Sequence, residues 1–343
     1  MNAARLHSYD DDRLQIDDVP EPKIGGPQDV IVKIGGAGLC RTDLHIIEGI
    51  LRETFPDLQL PYTLGHENAG WVEEVGSNVT TVRPGDAVIV HPLVSCGVCL
   101  GCRRGEDMYC DNGAFPGLSM DGGFAEYLLT GERSLIKLDP SLEPKNVAAM
   151  ADAGITAMRA SKKVARNATA QTRVVVMGVG GLGHIGIQCL RALSPVEIIA
   201  ADTNEGARKL AEETGADHVI EAGEGVVDRV MELTGGVGAD AVLDFVGERG
   251  VPAQVPGMLR QGGTYYVVGY GERVDIPNWD FVIREINVVG NLVGNYMDLV
   301  ELMALAARGK VKLHTQEYTL KDINQAIDDL YGGRLNGRGI LVP

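Results

Sequence analysis

The sequence is short of positive charge. Its 31 lysines and arginines face 47 aspartates and glutamates, which leaves a net charge of −16, and only ten of the cations are lysines. A nucleic-acid partner needs a basic patch to displace the counterions of the phosphates, so this balance argues against that class of function. It argues against an anionic membrane surface for the same reason. A solvated acidic coat that aids solubility is the plain reading. Adaptation to high salt is a second reading, suggested by the few lysines and by the run Asp10-Asp11-Asp12.

No signal peptide or membrane helix is expected either. The first twenty residues contain neither a basic n-region nor an apolar h-region, so no signal peptide is expected. No stretch approaches the ~18 uninterrupted apolar residues of a membrane helix. A cytoplasmic enzyme without a membrane partner is the resulting expectation. Internal repeats and low-complexity tracts are absent too, and the 45 glycines follow no collagen-like period. With 45% hydrophobic and 23% charged residues over 343 positions, the chain suits two ordinary globular domains, each with its own core.

The two parts differ in pattern. Up to about residue 150 the chain reads as short strands broken by turns: Val30–Ile34 ended by Gly35-Gly36, Trp71–Gly76, and Asp86–Val90. From Thr172 strands and helices alternate. Strands are expected at Arg173–Met177, Glu197–Ala201, His218–Ile220, Ala241–Phe245 and Thr264–Val268, with helices at Gly181–Leu193, Glu205–Thr214 and Val226–Leu233. Such alternation is the mark of an α/β, doubly wound parallel sheet. A strand over Gly290–Asn295 should finish the sheet, and helices are expected at Leu299–Ala307 and Ile323–Leu330.

Four of the six cysteines form Cys96-x2-Cys99-x2-Cys102-x7-Cys110. Tetrahedral zinc accepts four thiolates, and Gly97, Gly101 and Gly105 supply the tight turns that a metal knuckle needs. Disulfides compete poorly in a chain without an export signal. An all-thiolate site has no open coordination position. Its expected role is structural, pinning the loop from about residue 95 to 113.

An apolar strand runs into Gly178-Val179-Gly180-Gly181-Leu182-Gly183, which opens a helix, and a second strand ends in Asp202, 24 residues beyond Gly178. A bare G-x-G-x-x-G is weak. In this strand–turn–helix context it reads as a dinucleotide cradle in which Gly178, Gly180, Gly181, Leu182 and Gly183 bring the backbone to a pyrophosphate. Asp202 is placed to accept hydrogen bonds from the adenosine ribose and to repel a 2′-phosphate, so NAD is favoured over NADP; Arg208 nearby would soften that repulsion. Cys189 falls on the apolar stripe of the helix and reads as a core thiol, and His184 as structural or solvent-facing.

Two segments remain, Gly38-Leu39-Cys40-Arg41-Thr42-Asp43-Leu44-His45 and Gly65-His66-Glu67-Asn68-Ala69-Gly70. Taken alone, such a Cys or His is more often buried than a ligand. Together with the cysteine run, Asp121–Tyr127, the Gly178–Gly183 turn and Leu292–Asn295, they resemble the zinc alcohol dehydrogenases of the medium-chain dehydrogenase/reductase family. The resemblance covers essentially the whole chain and is greatest to the shorter, tetrameric bacterial and archaeal members.

The resemblance implies a β-rich GroES-like catalytic domain (1–151 and 288–343) and a Rossmann NAD-binding domain (152–287). It implies two zincs per chain: a structural one on the four cysteines and a catalytic one on Cys40, His66 and a third ligand. In many relatives that third ligand is a Cys followed by Gly and Thr; here Asp152 stands in its place, a hard oxygen for a soft sulfur, which zinc accepts. Glu67 takes a metal-tuning role. Thr42 is implied as the hydroxyl that receives the alcohol proton and passes it by way of the cofactor ribose to His45, and Arg41 as a pyrophosphate contact. The implied pocket is apolar, near Leu93, Phe115, Ile47–Leu51, Asn295 and Tyr296.

The expected reaction is reversible oxidation of a primary or secondary alcohol to an aldehyde or ketone, with hydride transfer to NAD. A polyol, sugar or L-threonine dehydrogenase on the same scaffold is the alternative. A non-catalytic NAD-binding redox sensor conflicts with the full ligand set, as does a zinc-free quinone reductase. A homotetramer is implied by the resemblance, with the apolar Ile286–Val293 segment pairing across an interface.

Overall fold

The computed structural model describes residues 1–9, 11, 13–54 and 58–343. Asp10 and Asp12 of the acidic run noted above lie outside the described residues. The chain divides into two compact units, residues 1–155 with 294–309 and 313–343, and residues 156–293 with 310–312. The divisions fall at 155/156 and 293/294, against the expected 151/152 and 287/288. The second shift arises because Asn287–Gly290 adds a strand to the parallel sheet.

The first unit is built on strands. In order they are β1 (Asn2–Leu6), β2 (Gln15–Asp18), β3 (Asp29–Leu39), β4 (Tyr62–Thr63), β5 (Glu67–Val75), β6 (Ala87–Val90), β7 (Tyr127–Gly131) and β8 (Leu135–Lys137). Three short helices accompany them: α1 (Arg41–Ile47), α2 (Leu100–Arg103) and α3 (Pro144–Val147). Strands β1, β2 and β4 form one antiparallel sheet. Alternate residues of β3 and its neighbours, including Val30, Val32, Ile34, Leu39, Val72, Val88 and Val90, point into one core.

The glycines of β3 do not end it as expected. The strand continues through Gly35, Gly36 and Gly38 to Leu39. Glycine within a strand marks a close approach rather than a stop. A Cβ on Gly38 would stand 2.0 Å from Oε2 of Glu67, its partner on β5.

The second unit holds β9 (Arg173–Met177), β10 (Glu197–Asp202), β11 (His218–Glu221), β12 (Ala239–Asp244), β13 (Leu259–Val267) and β14 (Asn287–Gly290). All are parallel, in the order β11-β10-β9-β12-β13-β14. Helix α4 (Ala153–Ala165) precedes β9, and α5 (Gly183–Leu193), α6 (Glu205–Thr214), α7 (Val226–Leu233), α8 (Val251–Met258) and α9 (Asn278–Ile283) connect the strands. The central strands β9, β10 and β12 are buried on both faces, as a parallel sheet requires. Val175, Met177, Ile199 and Val242 serve one core, while Val174, Val176, Ile198 and Leu243 serve the other.

Cys189 is fully buried, and burial pushes its thiol up to about 12. His184 is equally buried, its Nδ1 2.7 Å from Gly180 O, so it is structural and not solvent-facing. The strand expected over Gly290–Asn295 ends at Gly290; Val293 has φ 43, a left-handed conformation that breaks an extended run. Helix α10 (Tyr296–Ala307), strand β15 (Thr315–Thr319), helix α11 (Ile323–Tyr331) and strand β16 (Arg338–Val342) complete the chain. The last strand returns to pair with β3, so the larger sheet runs β15-β16-β3-β5-β6-β8 with β7 also on β3. Among the described residues no helix is long and apolar enough to cross a membrane.

Candidate active site

The first unit gathers Cys40, His66, Glu67 and Asp152, with one ligand atom from each within 4.8 Å of the others. They come from three places in the chain. Cys40 caps the start of α1, His66 and Glu67 lie where the chain enters β5, and Asp152 sits just before α4. Asp43 fixes the first of these: its Oδ2 accepts the Cys40 N–H at 2.8 Å, and a carboxylate in the first turn complements the helix dipole. Leu44, Ile46 and Ile47 anchor the helix by burial.

His66 is 1% exposed and meets carboxylates on both sides. Its Nδ1 lies 3.2 Å from Asp43 Oδ1 and its Nε2 3.5 Å from Asp152 Oδ2. Burial works against charge on the ring, but Asp43, Asp152 and Cys40 outweigh it and carry the titration of His66 well above the ordinary value. Neither ring nitrogen makes a hydrogen bond of good geometry among the described residues. A buried thiol, an imidazole nitrogen and a carboxylate that converge within 4.8 Å fit a divalent, zinc-like cation. An acidic carboxylate on Nδ1 leaves Nε2 as the ligating nitrogen.

Behind these residues lies an ion pair that the sequence reading missed. Arg338, 4% exposed on β16, donates to Oε1 of Glu67, which is fully buried and also accepts the Ala153 N–H at 3.0 Å. Burial opposes the charge on Arg338, but Glu67 and Cys40 hold the guanidinium protonated. Burial likewise pushes the Glu67 carboxyl up, against the pull of Arg338. The second oxygen of Glu67 has no partner among the described residues. A signal was available in the sequence, because an arginine in an otherwise apolar strand, Arg-Gly-Ile-Leu-Val, needs a buried anion. Asp43 was likewise passed over, though it stands three residues after Cys40.

Thr42 and His45 are three residues apart on α1 and therefore share a face of the helix. His45 is 9% exposed, and Arg41 is half-buried at the helix start. The rings of Phe115 and His66 meet edge to face, centroids 5.9 Å apart. The other expected pocket residues are partly committed elsewhere. Ile47 is buried in the core, the Asn295 side chain caps α10 by accepting the Asp298 N–H, and the Tyr296 hydroxyl donates to Leu135 O.

The four remaining thiols, Cys96, Cys99, Cys102 and Cys110, also converge within 4.8 Å. Backbone N–H groups of Val98 and Cys99 bring the Cys96 thiol down to about 6, and Cys99 is lowered by its own backbone donors. Burial pushes Cys102 up to about 12. Four converging thiols at this spacing, Cys96 and Cys99 among them biased to thiolate, fit a closed tetrahedral metal site.

In the second unit the glycine turn has the shape of an anion cradle. Gly178 has φ 84, and a Cβ on Gly183 would stand 1.8 Å from Gly178 O. A Cβ on Gly180 would meet nothing within 4 Å, so the backbone is bare where a pyrophosphate would approach. Helix α5 starts at Gly183 rather than Gly181, because the turn consumes the first residues. Asp202 ends β10; its Oδ2 accepts the Val179 N–H at 2.7 Å and its Oδ1 the Asn204 N–H at 2.8 Å. Arg208 donates to the carbonyls of Asp202 and Thr203, bracing the turn that carries the acid.

The chain was compared with known proteins. Residues 26–140 match the alcohol dehydrogenase GroES-like domain, and residues 181–308 the zinc-binding dehydrogenase domain. An NAD-dependent alcohol dehydrogenase of Sulfurisphaera tokodaii is 37% identical over 337 residues, 96% of each chain. A D-arabinose 1-dehydrogenase (NADP(+)) of Saccharolobus solfataricus is 36% identical over 335 residues, 96% of this chain and 94% of that one. Among solved structures, the alcohol dehydrogenase of the hyperthermophilic archaeon Aeropyrum pernix superposes with a TM-score of 0.97 at 46% identity, covering 100% of both chains.

Proposed function

The chain belongs to the zinc-binding, GroES-like alcohol dehydrogenases of the medium-chain family, and from that premise we propose how it works. It oxidises primary and secondary alcohols reversibly to aldehydes and ketones, with NAD as hydride acceptor. The observation that carries this reading is the open donor set of Cys40, His66 and Asp152, with Glu67 behind it. Three ligands leave one position of a tetrahedral ion for the substrate.

Cys40, His66 and Asp152 would hold a catalytic zinc, and Cys96, Cys99, Cys102 and Cys110 a structural one, two per chain. A zinc ion at that site would supply a Lewis acid for the alcohol oxygen, and NAD in the glycine cradle would supply the hydride acceptor. The protein supplies the rest. Asp43 orients the His66 ring, and Arg338 sets the position of Glu67. The Thr42 hydroxyl accepts the alcohol proton and gives up its own, which His45, on the same helix face, returns to solvent.

Gly178, Gly180, Gly181, Leu182 and Gly183 would hold the nucleotide, Arg41 would contact a phosphate and Asp202 the adenosine ribose; Arg208 braces the Asp202 turn. Residues 1–155 with the C-terminal segment thus form the catalytic domain, and residues 156–293 the NAD-binding domain. The chain assembles as a homotetramer. Strand β14 ends the parallel sheet, and Trp279, Val282, Ile283 and Leu292 on or beside α9 and β14 are exposed apolar residues suited to a second copy. Thiolate chemistry at the cysteine cluster suits a reducing, cytoplasmic setting.

A sugar substrate is the second reading, favoured by the D-arabinose 1-dehydrogenase among the relatives. Phe115 against His66 weighs towards apolar alcohols. A panel of NAD reduction with primary, secondary and aromatic alcohols, polyols, D-arabinose and threonine, with and without chelator, separates the two. Chelator-sensitive turnover of simple alcohols is expected; turnover of sugars or polyols alone overturns the alcohol reading.

A further inference from the structure

His91 is 2% exposed and lies outside the metal cluster, yet its backbone N–H and both ring nitrogens are tied to the segments around it. Its backbone N–H donates to Ser134 O at 2.6 Å. The Leu93 N–H reaches its Nδ1 at 3.4 Å, and its Nε2 lies 3.3 Å from Gly294 O. Leu93 O is also 3.3 Å from Nδ1, but that carbonyl already accepts the Ser134 hydroxyl at 3.0 Å. One tautomer satisfies this network: Nδ1 accepts from Leu93, and Nε2–H donates to Gly294. Burial lowers the titration of His91, against the opposing pull of Asp107 and Asp152, and so keeps the ring in that neutral form.

What His91 holds lies next to the reacting centre. Val94 and Ala114 exchange both backbone hydrogen bonds, at 2.8 and 3.0 Å, in an antiparallel bridge. That register sets the half-buried Leu93 opposite Phe115. Phe115 in turn meets the His66 ring edge to face. On its other side the His91 ring leans on Tyr296, centroids 6.2 Å apart, and the Tyr296 N–H is fixed at 3.0 Å by Asp107 from the cysteine lobe.

We propose that His91 is a positioning residue for substrate choice: by clamping the Leu93 turn to Gly294 it fixes the Leu93–Phe115 wall beside His66, and so sets which alcohols fit. The inference rests on the alcohol dehydrogenase reading and deepens it. A histidine that only fills the core would affect stability alone, whereas a clamp on the pocket wall alters selectivity.

The test is steady-state kinetics on the zinc-loaded enzyme, with primary alcohols from ethanol to hexanol and benzyl alcohol at saturating NAD. His91→Leu removes both polar contacts. His91→Gln reaches as far as Nε2 and can still donate to Gly294 O, whereas His91→Asn reaches only as far as Nδ1. For Leu and Asn the KM of the best alcohol should rise about tenfold and the chain-length preference flatten, the scale of one misplaced methylene contact. Turnover should stay within roughly twofold, the mark of lost ground-state binding. His91→Gln should restore the wild-type profile, and NAD affinity by fluorescence titration and zinc per chain should be unchanged in all three. A wild-type selectivity profile in His91→Leu, with only a lowered Tm, overturns the proposal. If the Leu variant does not fold, indistinguishable Asn and Gln profiles overturn it instead. A wild-type enzyme that oxidises none of the alcohols overturns the activity reading, a different outcome from unaltered variants of an active enzyme.

Discussion

Arg338 donates to the buried carboxylate of Glu67 from 271 residues further along the chain. The last strand thereby reaches into the cluster formed by Cys40, His66 and Asp152, with both partners almost fully buried. A pair of this kind stabilises little compared with an apolar substitute, but breaking it leaves one buried charge alone. Its value lies in fixing Glu67 behind the metal ligands.

Arg338→Leu should therefore destabilise the fold by about 3–5 kcal/mol, because Glu67 is left unpaired. Denaturant unfolding measures this. The double variant Arg338→Leu with Glu67→Gln should recover a large part of the loss; a double variant no better than the single one removes the ion pair from this account.

Asp152→Ala should lower zinc from about two ions per chain to about one, since four thiolates remain and the open site loses an anionic ligand. Elemental analysis of the purified protein gives the count, and Asp152→Cys should hold both ions. Two zincs in the Ala variant would dismiss Asp152 as a ligand.

Thr42→Val keeps the size of the side chain and deletes the hydroxyl. Turnover should fall by about 10²-fold or more, the usual worth of a proton-transfer group, at unchanged zinc content. Near-normal turnover removes Thr42 from the proton path.

Asp202→Gly should move the ratio of kcat/KM for NAD over NADP towards NADP by about tenfold or more, equivalent to ~1.4 kcal/mol of lost discrimination. The acid ends β10 with its carboxylate braced by the Val179 and Asn204 N–H groups. Measuring both cofactors on one alcohol decides it, and an unmoved ratio contradicts the assigned role.

Glu132 gives a prediction in pH. Burial alone would raise its carboxyl, but the backbone N–H and hydroxyl groups of Thr80 and Thr81 all donate to Oε1 and bring it below the usual range. The folded state therefore binds fewer protons than the unfolded one in that window. The stabilisation is complete above the unfolded value of about 4.3 and fades as pH falls through the lower folded value. Wild type should exceed Glu132→Gln by on the order of 1 kcal/mol at pH 7, discounted for partial exposure, and the gap should close below about pH 4. Urea unfolding across pH 3–7 tests the sign.

Local pattern made much of this protein legible. The Cys96–Cys110 spacing, the Gly178–Gly183 turn and the strand–helix alternation after Thr172 are short-range features, because each depends on neighbours within one turn, loop or element. Cys40, His66 and Asp152 were readable only through a family resemblance, since nothing in their separate surroundings announces a shared ion. Tertiary structure decided the rest. Sheet pairing brings Arg338 to Glu67 and Glu67 to Gly38, so the strand that glycines were expected to end instead runs on to make room for a carboxylate. The left-handed Val293 ends the sheet earlier than hydrophobicity alone suggests. His91 shows the same limit. Its sequence neighbours give no hint of Gly294, because a clamp between segments 203 residues apart exists only once the chain has closed on itself.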